Sequence, residues 1–490
     1  MKGEIRSVSQ PGPGIRRARP RGDPWYDLAP AMAGRKRSSV LRDPVHGDVY
    51  LTHEELRVLD TPEMQRLRGV KQLGTAYLVY PGALHTRFDH MIGSLHMAGR
   101  MIEAVNRSFE FDPAGCVAVS EAEARVIRIA ALVHDVTHIP FGHSIEDQDG
   151  IFGRHDEPQR FERMLAPGTG VGRVLKELGV AREVLAILTA KEGEGGIPPA
   201  WIQIVGGTIA SDILDYLARD AYFTGLALAV DPRVTSYFKV DRKSGNLFID
   251  LAKHELLRED ILSEVVRLLE ARYYFSERVY YHHAKVCAGA LVARAVETAL
   301  AAGAVREQDF WLQDDASVLD LLERATAKSA KEPRERVRGL VERVRQRRLY
   351  KRACVYPRYE NAEAQEGLVE RFFARGGARA RAEAEARIAD LVRFSTGRTV
   401  DVIVYCPARR MQLKEARMHV RWPGESRVQP LANFAARVPR LADLERAYKD
   451  LWKFYVFADT ADPELLVRVQ EAARAEFPGA TNVYSVPANT

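Results

Sequence analysis

Apolar residues recur every three or four positions through most of the chain, a period that predicts helices. Two of these helices begin with capping boxes, in which Thr86 and Ser120 are each followed three residues later by an acidic residue. The other helical patterns cover residues 54–59, 61–70, 171–188, 211–220, 256–302 and 314–352. Before them, Leu41–Leu51 is predicted to form a short hairpin around His46 and Gly47. We therefore expect a mainly α-helical body.

After Gly397 the pattern changes to the alternation of apolar and polar residues that is typical of strands. Strands are predicted over residues 399–406, 416–422 and 452–458, with helices over 441–451 and 463–477. The predicted organisation is a tail over residues 1–39, a helical core over 40–310, a helical extension over 311–396 and a small α+β lobe over 397–490.

The distribution of charge limits the class of partner. The chain has 72 basic and 66 acidic residues, a net charge of +6. Nine of the basic and three of the acidic residues lie in residues 1–39, which accounts for the whole excess. This tail is rich in Pro, Gly and Arg without apolar periodicity, so we predict that it is disordered. Binding to a phosphate backbone needs clustered basic charge. Only the tail and Arg345–Arg352 offer it, and we interpret the latter as a solvated helix face, so nucleic acid is not a favoured partner.

The composition is that of a globular protein, with 46% hydrophobic and 28% charged residues. No apolar run approaches the roughly eighteen residues that span a bilayer, and we find no secretory signal. The four cysteines lie far apart without a C-x-x-C pair, which argues against a disulfide framework or a zinc ribbon. We expect a cytoplasmic protein that does not associate with membranes.

The candidate chemistry centres on Ala131–His143, which reads A-L-V-H-D-V-T-H-I-P-F-G-H. His134 and Asp135 follow an apolar helical run that we expect Pro140 to end. They offer one nitrogen and one oxygen ligand, a mixture that Mn, Fe, Zn and Co accept. Adjacent helical residues project about 100° apart, so the pair can hold an ion only from a helix end or edge. By itself the dipeptide is better explained as chance.

Further polar residues at helix ends complete a candidate metal site of His90, His134, Asp135 and Asp212. These four ligands would leave coordination positions open for water and substrate, as catalytic sites do. His138, His143 and His155 are candidate acid–base or phosphate-contacting groups, and Arg87 and Arg272 are candidate phosphate clamps. Spacing alone leaves a metal site and a chance arrangement equally open. Tyr216 and Tyr280 also fit as core aromatics, and His96 as a structural residue.

Five longer motifs resemble one family. They are D-P-V-H-G (Asp43–Gly47), D-T-P-E-M-Q-R-L-R-G-V-K-Q-L-G (Asp60–Gly74), Y-P-G-A-L-H-T-R-F-D-H (Tyr80–His90), H-D-V-T-H-I-P-F-G-H (His134–His143) and S-D-I-L-D-Y-L-A-R-D (Ser211–Asp220). In this order they are similar to the HD-domain metal-dependent phosphohydrolases, and within them to the deoxynucleoside triphosphate triphosphohydrolases (dNTPases). That family includes bacterial phosphohydrolases and a vertebrate restriction factor. The resemblance extends from about Leu41 to Leu300, and more faintly into the C-terminal lobe.

The resemblance implies a multi-helix HD core and a role for each matching position. It implies a divalent metal (Mn, Fe, Mg, Zn or Co) held by His90, His134, Asp135 and Asp212. It implies contacts near the α-phosphate and leaving oxygen for His138, His143, Glu146 and His155. It implies triphosphate contacts for Arg87, Tyr216 and Arg272, and a deoxyribose and base pocket of Gln72, Leu73, Asp220 and Tyr280. A homo-dimer or homo-tetramer is the implied assembly.

Two positions depart from the family pattern. Ile213 stands where close relatives carry a phosphate-binding lysine, and Ser39 where nucleotide-activated relatives carry an activator-binding lysine, although Asp60, Gln65 and Arg68 match other activator contacts. The leading expectation is hydrolysis of dNTPs to deoxynucleoside and triphosphate. The alternatives are hydrolysis of another nucleotide or a phosphodiester, and a non-catalytic module that binds nucleotides or nucleic acid.

Overall fold

The computed structural model describes residues 39–148, 151–191, 196–228, 230–374, 376–408, 411 and 417–487. The predicted disordered tail lies outside these residues except for Ser39, as does the first residue of the strand predicted over 416–422.

Nineteen α-helices account for about half of the described residues, far more than the short strands do, so the predicted mainly α class is confirmed. They are α1 (His53–Leu59), α2 (Pro62–Gln65), α3 (Arg87–Phe111), α4 (Glu121–Val133), α5 (His143–Glu146), α6 (Pro158–Met164), α7 (Gly170–Glu177), α8 (Ala181–Thr189), α9 (Pro199–Gly206), α10 (Ser211–Thr224), α11 (Glu259–Phe275), α12 (His283–Ala301), α13 (Asp315–Thr326), α14 (Lys331–Arg345), α15 (Arg358–Asn361), α16 (Gln365–Leu368), α17 (Gly377–Thr396), α18 (Pro439–Asp450) and α19 (Pro463–Glu476).

Eleven short strands complete the described elements. They are β1 (Ser39–Asp43), β2 (Gly47–Leu51), β3 (Phe238–Val240), β4 (Leu247–Asp250), β5 (Ala252–Lys253), β6 (Leu256–Leu257), β7 (Lys351–Pro357), β8 (Val402–Tyr405), β9 (His419–Arg421), β10 (Gln429–Pro430) and β11 (Lys453–Ala458). β1 and β2 form the predicted hairpin, in which Asp43 pairs with Gly47. The two larger sheets have the orders β10-β9-β4-β3 and β7-β11-β8.

Both predicted capping boxes are present. The Thr86 side chain accepts from the backbone N–H of Asp89 at the start of α3, and Ser120 accepts from Glu123 at the start of α4. α3 is the centre of the helical body: it packs against α4 and α10, and most of its residues are buried. The capping signals therefore fix where the two helices that bear most on the candidate site begin.

Three predicted helices are wrong in extent. α4 ends at Val133, so the chain leaves the helix well before Pro140. The pattern over 256–302 is interrupted by a π-helical turn at Ser276–Tyr280 and begins in strand β6. The basic stretch Arg345–Arg352 is not a continuous helix, because α14 ends at Arg345, Arg347 has a positive φ of 55°, and β7 starts at Lys351. The helical spacing of apolar residues does not indicate where the backbone hydrogen-bond pattern changes or ends.

The C-terminal residues return to the helical body. β9 pairs in parallel with β4, so residues near 420 extend a sheet that begins near 240. Val420 and Leu431 are fully buried in the same apolar cluster as α3 and α4. β7, from the predicted helical extension, pairs with β11 of the predicted lobe. The predicted domain boundaries stay predictions, but strand pairing links residues on both sides of each.

Two sequence expectations concern the chain as a whole. No described helix has the length and apolar character that crossing a membrane requires, and the cytoplasmic location stays a prediction. All four cysteines are buried, and no two of them form a disulfide bond with each other.

We expect the C-terminal residues to unfold together with the helical core. Leu431→Ala removes a fully buried side chain from the shared cluster and should lower the free energy of unfolding by about 2–5 kcal/mol. Urea unfolding followed by far-UV circular dichroism and by tryptophan fluorescence should show one transition, shifted to lower urea. Leu312→Ala, at a side chain 65% exposed, should change stability by less than about 0.5 kcal/mol. A separate early transition in Leu431→Ala would contradict this coupling.

Candidate active site

The H-D pair lies on a turn just beyond the end of a helix. His134 caps α4, and the next residues form a tight turn in which the His138 N–H donates to the Asp135 carbonyl at 3.1 Å. Arg66, which is partly buried, donates from Nη2 to the carbonyls of Val136 at 2.8 Å and His138 at 2.7 Å. Because the pair leaves the helix here, its two side chains escape the 100° separation that an α-helix would impose.

Three of the four predicted metal ligands come together. His90, His134 and Asp135 each offer one ligand atom, and these atoms lie within 4.8 Å of one another. The Asp135 carboxylate lies between the imidazoles, with Oδ1 3.6 Å from His134 Nε2 and Oδ2 3.8 Å from His90 Nε2. His90 reaches this point from the first turn of α3, and the other two from the turn after α4.

The protonation states of the side chains in this group of three favour the binding of a cation. His134 Nδ1 donates to the Ala131 carbonyl at 2.8 Å, which leaves the Nε2 lone pair facing Asp135. Burial raises the pKa of Asp135, but its interactions with His134, His138 and Arg87 outweigh burial and hold that pKa well below its ordinary value. A neutral imidazole beside an ionised carboxylate is the donor set that borderline divalent metals accept. The residues therefore fit a divalent ion.

Asp212 is the one predicted ligand outside the group of three. It lies in the first turn of α10, where Oδ1 accepts from the Ile213 N–H at 2.6 Å. Burial raises its pKa, while the charges of His134 and His90 lower it, so its carboxylate is close to both imidazoles. Its role as a fourth ligand stays a prediction.

A histidine cluster lies beside the H-D turn. The rings of His138 and His155 stack with centroids 3.5 Å apart, and His143 stands edge-on at 5.3 Å and 5.2 Å from them. The Glu146 carboxylate holds the cluster, because Oε2 accepts from His155 Nδ1 at 2.8 Å and Oε1 accepts from Arg160 Nη1 at 3.1 Å. All three predicted acid–base histidines and Glu146 thus share one site.

The acid–base residues have shifted pKa values. Burial raises the pKa of Glu146, but His138 and His155 outweigh it and hold that pKa well below the ordinary range, so the carboxylate stays ionised. Burial and the charge of Arg87 lower the pKa of His138, which stays neutral at physiological pH. His143 begins α5 after a bend at Phe141 and Gly142, both with positive φ.

Gly142 is required by close packing as well as by its backbone angle. A Cβ added there would lie 3.2 Å from both Arg87 Nη2 and His138 Nδ1. The bend is held in place by the Asp315 carboxylate, which accepts from the N–H groups of Phe141 at 3.2 Å and Lys71 at 3.0 Å. One acid at the start of α13 therefore positions two loops of the site.

The predicted sugar and base pocket is joined by hydrogen bonds. The Tyr280 hydroxyl donates to Asp220 Oδ2 at 2.6 Å, and His85 Nε2 contacts Oδ1 at 2.9 Å. The Gln72 N–H donates to the His85 carbonyl at 3.1 Å, with buried Leu73 next to it. Tyr280 ends the π-helical turn, a rare conformation that is frequent at functional sites.

Tyr216 and Arg272 lie between this pocket and the metal ligands. The rings of Tyr216 and His90 are 6.3 Å apart. Burial lowers the pKa of Arg272, but its interactions with Tyr216, Tyr448, Tyr280 and Asp212 outweigh burial and raise that pKa above its ordinary value. The structure therefore gathers every predicted site residue into one region, although their roles stay predictions.

Some buried polar atoms of this region have no hydrogen-bond partner within the described chain. They include Arg87 Nε, Gln72 Oε1 and His138 Nδ1, although Arg87 Nη1 donates to Asp135 Oδ2 at 2.5 Å. Buried polar groups are nearly always satisfied in folded proteins. Unpaired donors and acceptors at three predicted contact residues indicate a surface prepared for a polar ligand.

Sequence reasoning missed several residues that hold the site together. Asp215 contacts His90, Arg66 braces the H-D turn, and the Tyr448 hydroxyl bonds Ser276 at 2.7 Å at the start of the π-helical turn. The spacing of Asp215 and Arg219 at i and i+4 was a usable signal for a buried ion pair. Nothing local distinguishes Arg66 or Tyr448, because their partners lie far away in the chain.

Comparison with known proteins identifies two matched regions. Residues 87–200 match the HD domain model and residues 252–478 match the model of the HD associated region. The chain therefore contains an HD domain and an HD associated region, and the resemblance read from its motifs is confirmed. His90, His134 and Asp135 fall inside the matched HD domain, whereas Asp212 falls between the two matched regions.

Individual relatives agree with this assignment. The chain is 30% identical over 274 residues to the deoxynucleoside triphosphate triphosphohydrolase SAMHD1 of Bos taurus, covering 50% of this chain and 44% of that protein. It is 28% identical over 358 residues to a SAMHD1 homolog of Dictyostelium discoideum, with 69% and 64% covered. An uncharacterized protein of Methanocaldococcus jannaschii is 30% identical over 323 residues, with 66% and 60% covered. The chain thus spans about half to two thirds of the length of these relatives.

A solved structure supports the fold. The crystal structure of a hypothetical protein from Aquifex aeolicus superposes with a TM-score of 0.61, covering 89% of this chain and 99% of that one, at 23% sequence identity.

We expect Asp135→Asn to weaken metal binding by more than about 100-fold, because the amide removes the negative charge that faces both imidazoles. Mn²⁺ titration followed by electron paramagnetic resonance of the free ion measures this directly. Asp250→Asn is the matched control: Asp250 is also a buried carboxylate paired with an arginine, Arg421, but outside the site. Equal Mn²⁺ affinity in wild type and Asp135→Asn would contradict the assignment of the metal site.

Proposed function

We propose that this HD-domain protein hydrolyses deoxynucleoside triphosphates to deoxynucleoside and inorganic triphosphate. The observation that carries the proposal is the proximity of three elements: a divalent-metal donor set, a histidine cluster backed by an ionised glutamate, and the hydrogen-bonded pair Asp220–Tyr280. The relatives from Bos taurus and Dictyostelium discoideum are named as enzymes of this activity. Because the alignments cover only part of those proteins, the substrate remains our proposal.

His90, His134 and Asp135, with Asp212 beside them, would hold the ion. A divalent ion bound there supplies a Lewis acid for phosphoryl oxygens and lowers the pKa of water. Arg87, fully buried with its Nε free of any described partner, is oriented by Asp135 and presents the remaining N–H groups to a phosphate. Its guanidinium neutralises charge that spreads over the phosphoryl oxygens in the transition state.

The proposed reaction has the following bond changes. Water attacks the α-phosphorus and the bond between that phosphorus and O5′ of the sugar breaks, so that the nucleoside is the leaving group. The water oxygen stays on the released triphosphate, and the water proton is lost to solvent. The departing O5′ needs a proton, and His155 is suited to give it. Glu146 accepts from its Nδ1 at 2.8 Å and stabilises the charged imidazolium, as the aspartate does for histidine in hydrolytic triads. His143 has a weaker counterpart in Asp147, at 3.6 Å.

The pocket formed by Asp220 and Tyr280 favours a deoxyribose. The hydrogen bond from Tyr280 fixes the tyrosine ring, and a ring packed beneath C2′ leaves no room for a ribose hydroxyl. His85 holds the other oxygen of Asp220, so the carboxylate has a fixed direction for a sugar hydroxyl. Selection by exclusion in this way discriminates strongly when the site is rigid.

Assembly and regulation stay predictions. The candidate activator contacts lie together: Arg68 Nε donates to Gln65 Oε1 at 2.9 Å, and Asp60 caps the end of α1 nearby in the chain. We propose a homo-dimer or homo-tetramer and a nucleotide activator by analogy with the family.

Product analysis tests the reaction. Protein loaded with Mn²⁺, Mg²⁺, Fe²⁺ or Co²⁺ and incubated with each dNTP should release deoxynucleoside and triphosphate in equal amounts, resolved by anion-exchange chromatography and ³¹P NMR. Asp135→Asn should release neither. Pyrophosphate or monophosphate as the phosphorus product would contradict attack at the α-phosphorus with loss of the nucleoside.

We expect His155→Gln to lower kcat by about 10²–10⁴-fold with little change in KM, because it removes the proton donor and leaves the phosphate contacts. A dNTP analogue with sulfur in place of O5′ needs no proton to depart, so its hydrolysis should be nearly equal in His155→Gln and wild type. His143→Gln is the matched comparison. Loss of kcat in His143→Gln, restored by the sulfur analogue, would make His143 the acid instead.

Ile213 favours a second candidate, a hydrolase of another nucleotide or a phosphodiester. Its side chain is buried in the apolar core, so this position offers no cation where close relatives have a phosphate-binding lysine. The same product assay with ribonucleotides, tetraphosphate alarmones and short oligonucleotides distinguishes the two candidates. Turnover of one of these without turnover of any dNTP would favour the second.

A further inference from the structure

A buried chain of charged and polar side chains leads away from the candidate metal site. The carboxylate of Asp215 contacts His90 Nδ1 through Oδ2 at 2.7 Å and His46 Nε2 through Oδ1 at 2.6 Å. Arg219 donates to the same carboxylate from Nη2 at 2.9 Å and from Nε at 3.0 Å. Asp215 and Arg219 are completely buried. One acid thus joins a candidate metal ligand to two further side chains.

The far end of this chain is the N-terminal hairpin. Arg219 forms an ion pair with Asp43 Oδ2 at 2.9 Å, and Asp43 Oδ1 accepts from the His46 N–H at 2.8 Å. His46 in turn stacks on His96 of α3, with ring centroids 5.0 Å apart. Burial lowers the pKa of His96 to about 3, so this ring is neutral and serves as packing. The hairpin turn is therefore fixed against α3 and α10.

The residues that surround Asp215 leave room for its ion pair. Asp215 and Arg219 are four residues apart on α10 and so lie on one face of the helix. Opposite them, α3 has Gly93, where an added Cβ would lie 1.8 Å from Asp215 Oδ1 and 2.5 Å from Arg219 Nη2. The missing side chain at Gly93 leaves the space that the ion pair occupies.

We propose that Asp215 is a positioning residue of the metal site, which fixes the orientation and proton position of His90, and that His46 and Arg219 hold Asp215 in place. A carboxylate accepts but does not donate, so the proton of His90 lies on Nδ1 and the Nε2 lone pair faces Asp135. Metal-bound histidines are commonly held in this way by a carboxylate, and loss of the partner typically costs 10–100-fold in metal affinity. The proposal rests on His90 being a metal ligand, as proposed above.

A purely structural role for Asp215 makes a different prediction, and the chain offers a control for it. Arg294 and Glu385 form another fully buried ion pair, between α12 and α17, with no candidate site residue in contact. Breaking either pair leaves an unpaired buried charge and should destabilise the protein. Only the change at Asp215 should alter the metal site.

The first experiment compares Asp215→Asn with Glu385→Gln in the full chain. Mn²⁺ affinity is measured by electron paramagnetic resonance, the absorption spectrum of the Co²⁺-loaded protein reports ligand geometry, and thermal unfolding of the metal-free protein reports stability. We expect Asp215→Asn to bind Mn²⁺ about 10–100-fold more weakly with an altered Co²⁺ spectrum. Glu385→Gln should match wild type in both metal readouts while losing stability.

A second pair of variants tests Asp215 by adding a methyl group to helix α3, without changing a polar group. Gly93→Ala adds a methyl group against the carboxylate and should weaken Mn²⁺ binding in the same direction. Gly99→Ala adds the same methyl group to the same helix, where its nearest neighbour is Arg128 Nη1 at 2.5 Å, the end of a flexible side chain. It should leave Mn²⁺ affinity unchanged. If Asp215→Asn does not fold, this pair decides the question.

The outcomes separate this inference from the proposed function. Wild type that binds no Mn²⁺ or Co²⁺ would overturn both. Wild-type affinity and an unaltered Co²⁺ spectrum in folded Asp215→Asn, or in Gly93→Ala, would overturn the role of Asp215 and leave the metal site standing. Equal losses of affinity in Asp215→Asn and Glu385→Gln would also overturn it, because the effect would then follow stability.

Discussion

The constraint on which this site depends is the burial of carboxylates, each of which must be paired. An ionised carboxylate away from water is costly unless it is hydrogen-bonded and faces a positive charge. Here each one has its own partners: Asp135 has Arg87 and Glu146 has Arg160, each from another segment. Asp215 has Arg219 on its own helix and His90 and His46 from elsewhere in the chain. Asp220 is held by His85 and Tyr280 instead. These pairs fix the relative positions of α3, α10 and the H-D turn, so packing and chemistry are set by the same contacts.

A carboxylate that has an ion-pair partner can still have an oxygen atom without a hydrogen bond. In this site the carboxylate with such an oxygen lies where a ligand would bind. Asp215 has donors on both oxygens and little left to offer. Asp135, by contrast, has Arg87 on Oδ2 and faces three imidazole nitrogens at 3.4–3.8 Å, longer than ordinary hydrogen bonds. This difference in pairing distinguishes Asp215 from Asp135. Buried polar atoms without a described partner are not confined to the contact residues Arg87, Gln72 and His138, because they also occur at Arg66, His85 and Arg219.

Whether a feature of the fold or of the candidate site was predictable depends on how far apart in the sequence its interacting residues lie. Capping boxes at Thr86 and Ser120 are local, so the starts of α3 and α4 were predictable from four residues each. Most candidate site residues lie within the five motifs, although Glu146, His155, Arg272 and Tyr280 lie outside them. The end of α4 at Val133 was not predictable from its apolar pattern, which continues beyond it; the turn is held by Arg66, nearly 70 residues earlier. Likewise the spacing of Asp215 and Arg219 indicates their ion pair, but nothing in the sequence indicates that Asp43, 172 positions before Asp215, also contacts Arg219.

The regions outside the HD match are part of the site through the same kind of long-range contact. Asp315 positions the loops that carry Gln72 and His143, and Tyr448 bonds Ser276 at the start of the turn that ends in Tyr280. Both residues belong to the HD associated region. A π-helical turn is less stable than a regular helix, and a hydrogen bond to its first residue restrains the turn that orients Tyr280. Of the proposed sugar and base pocket, Tyr280 belongs to the HD associated region, whereas Gln72, Leu73 and Asp220 lie outside both matched regions. The proposed pocket therefore depends on segments beyond the HD domain, which contains His90, His134 and Asp135.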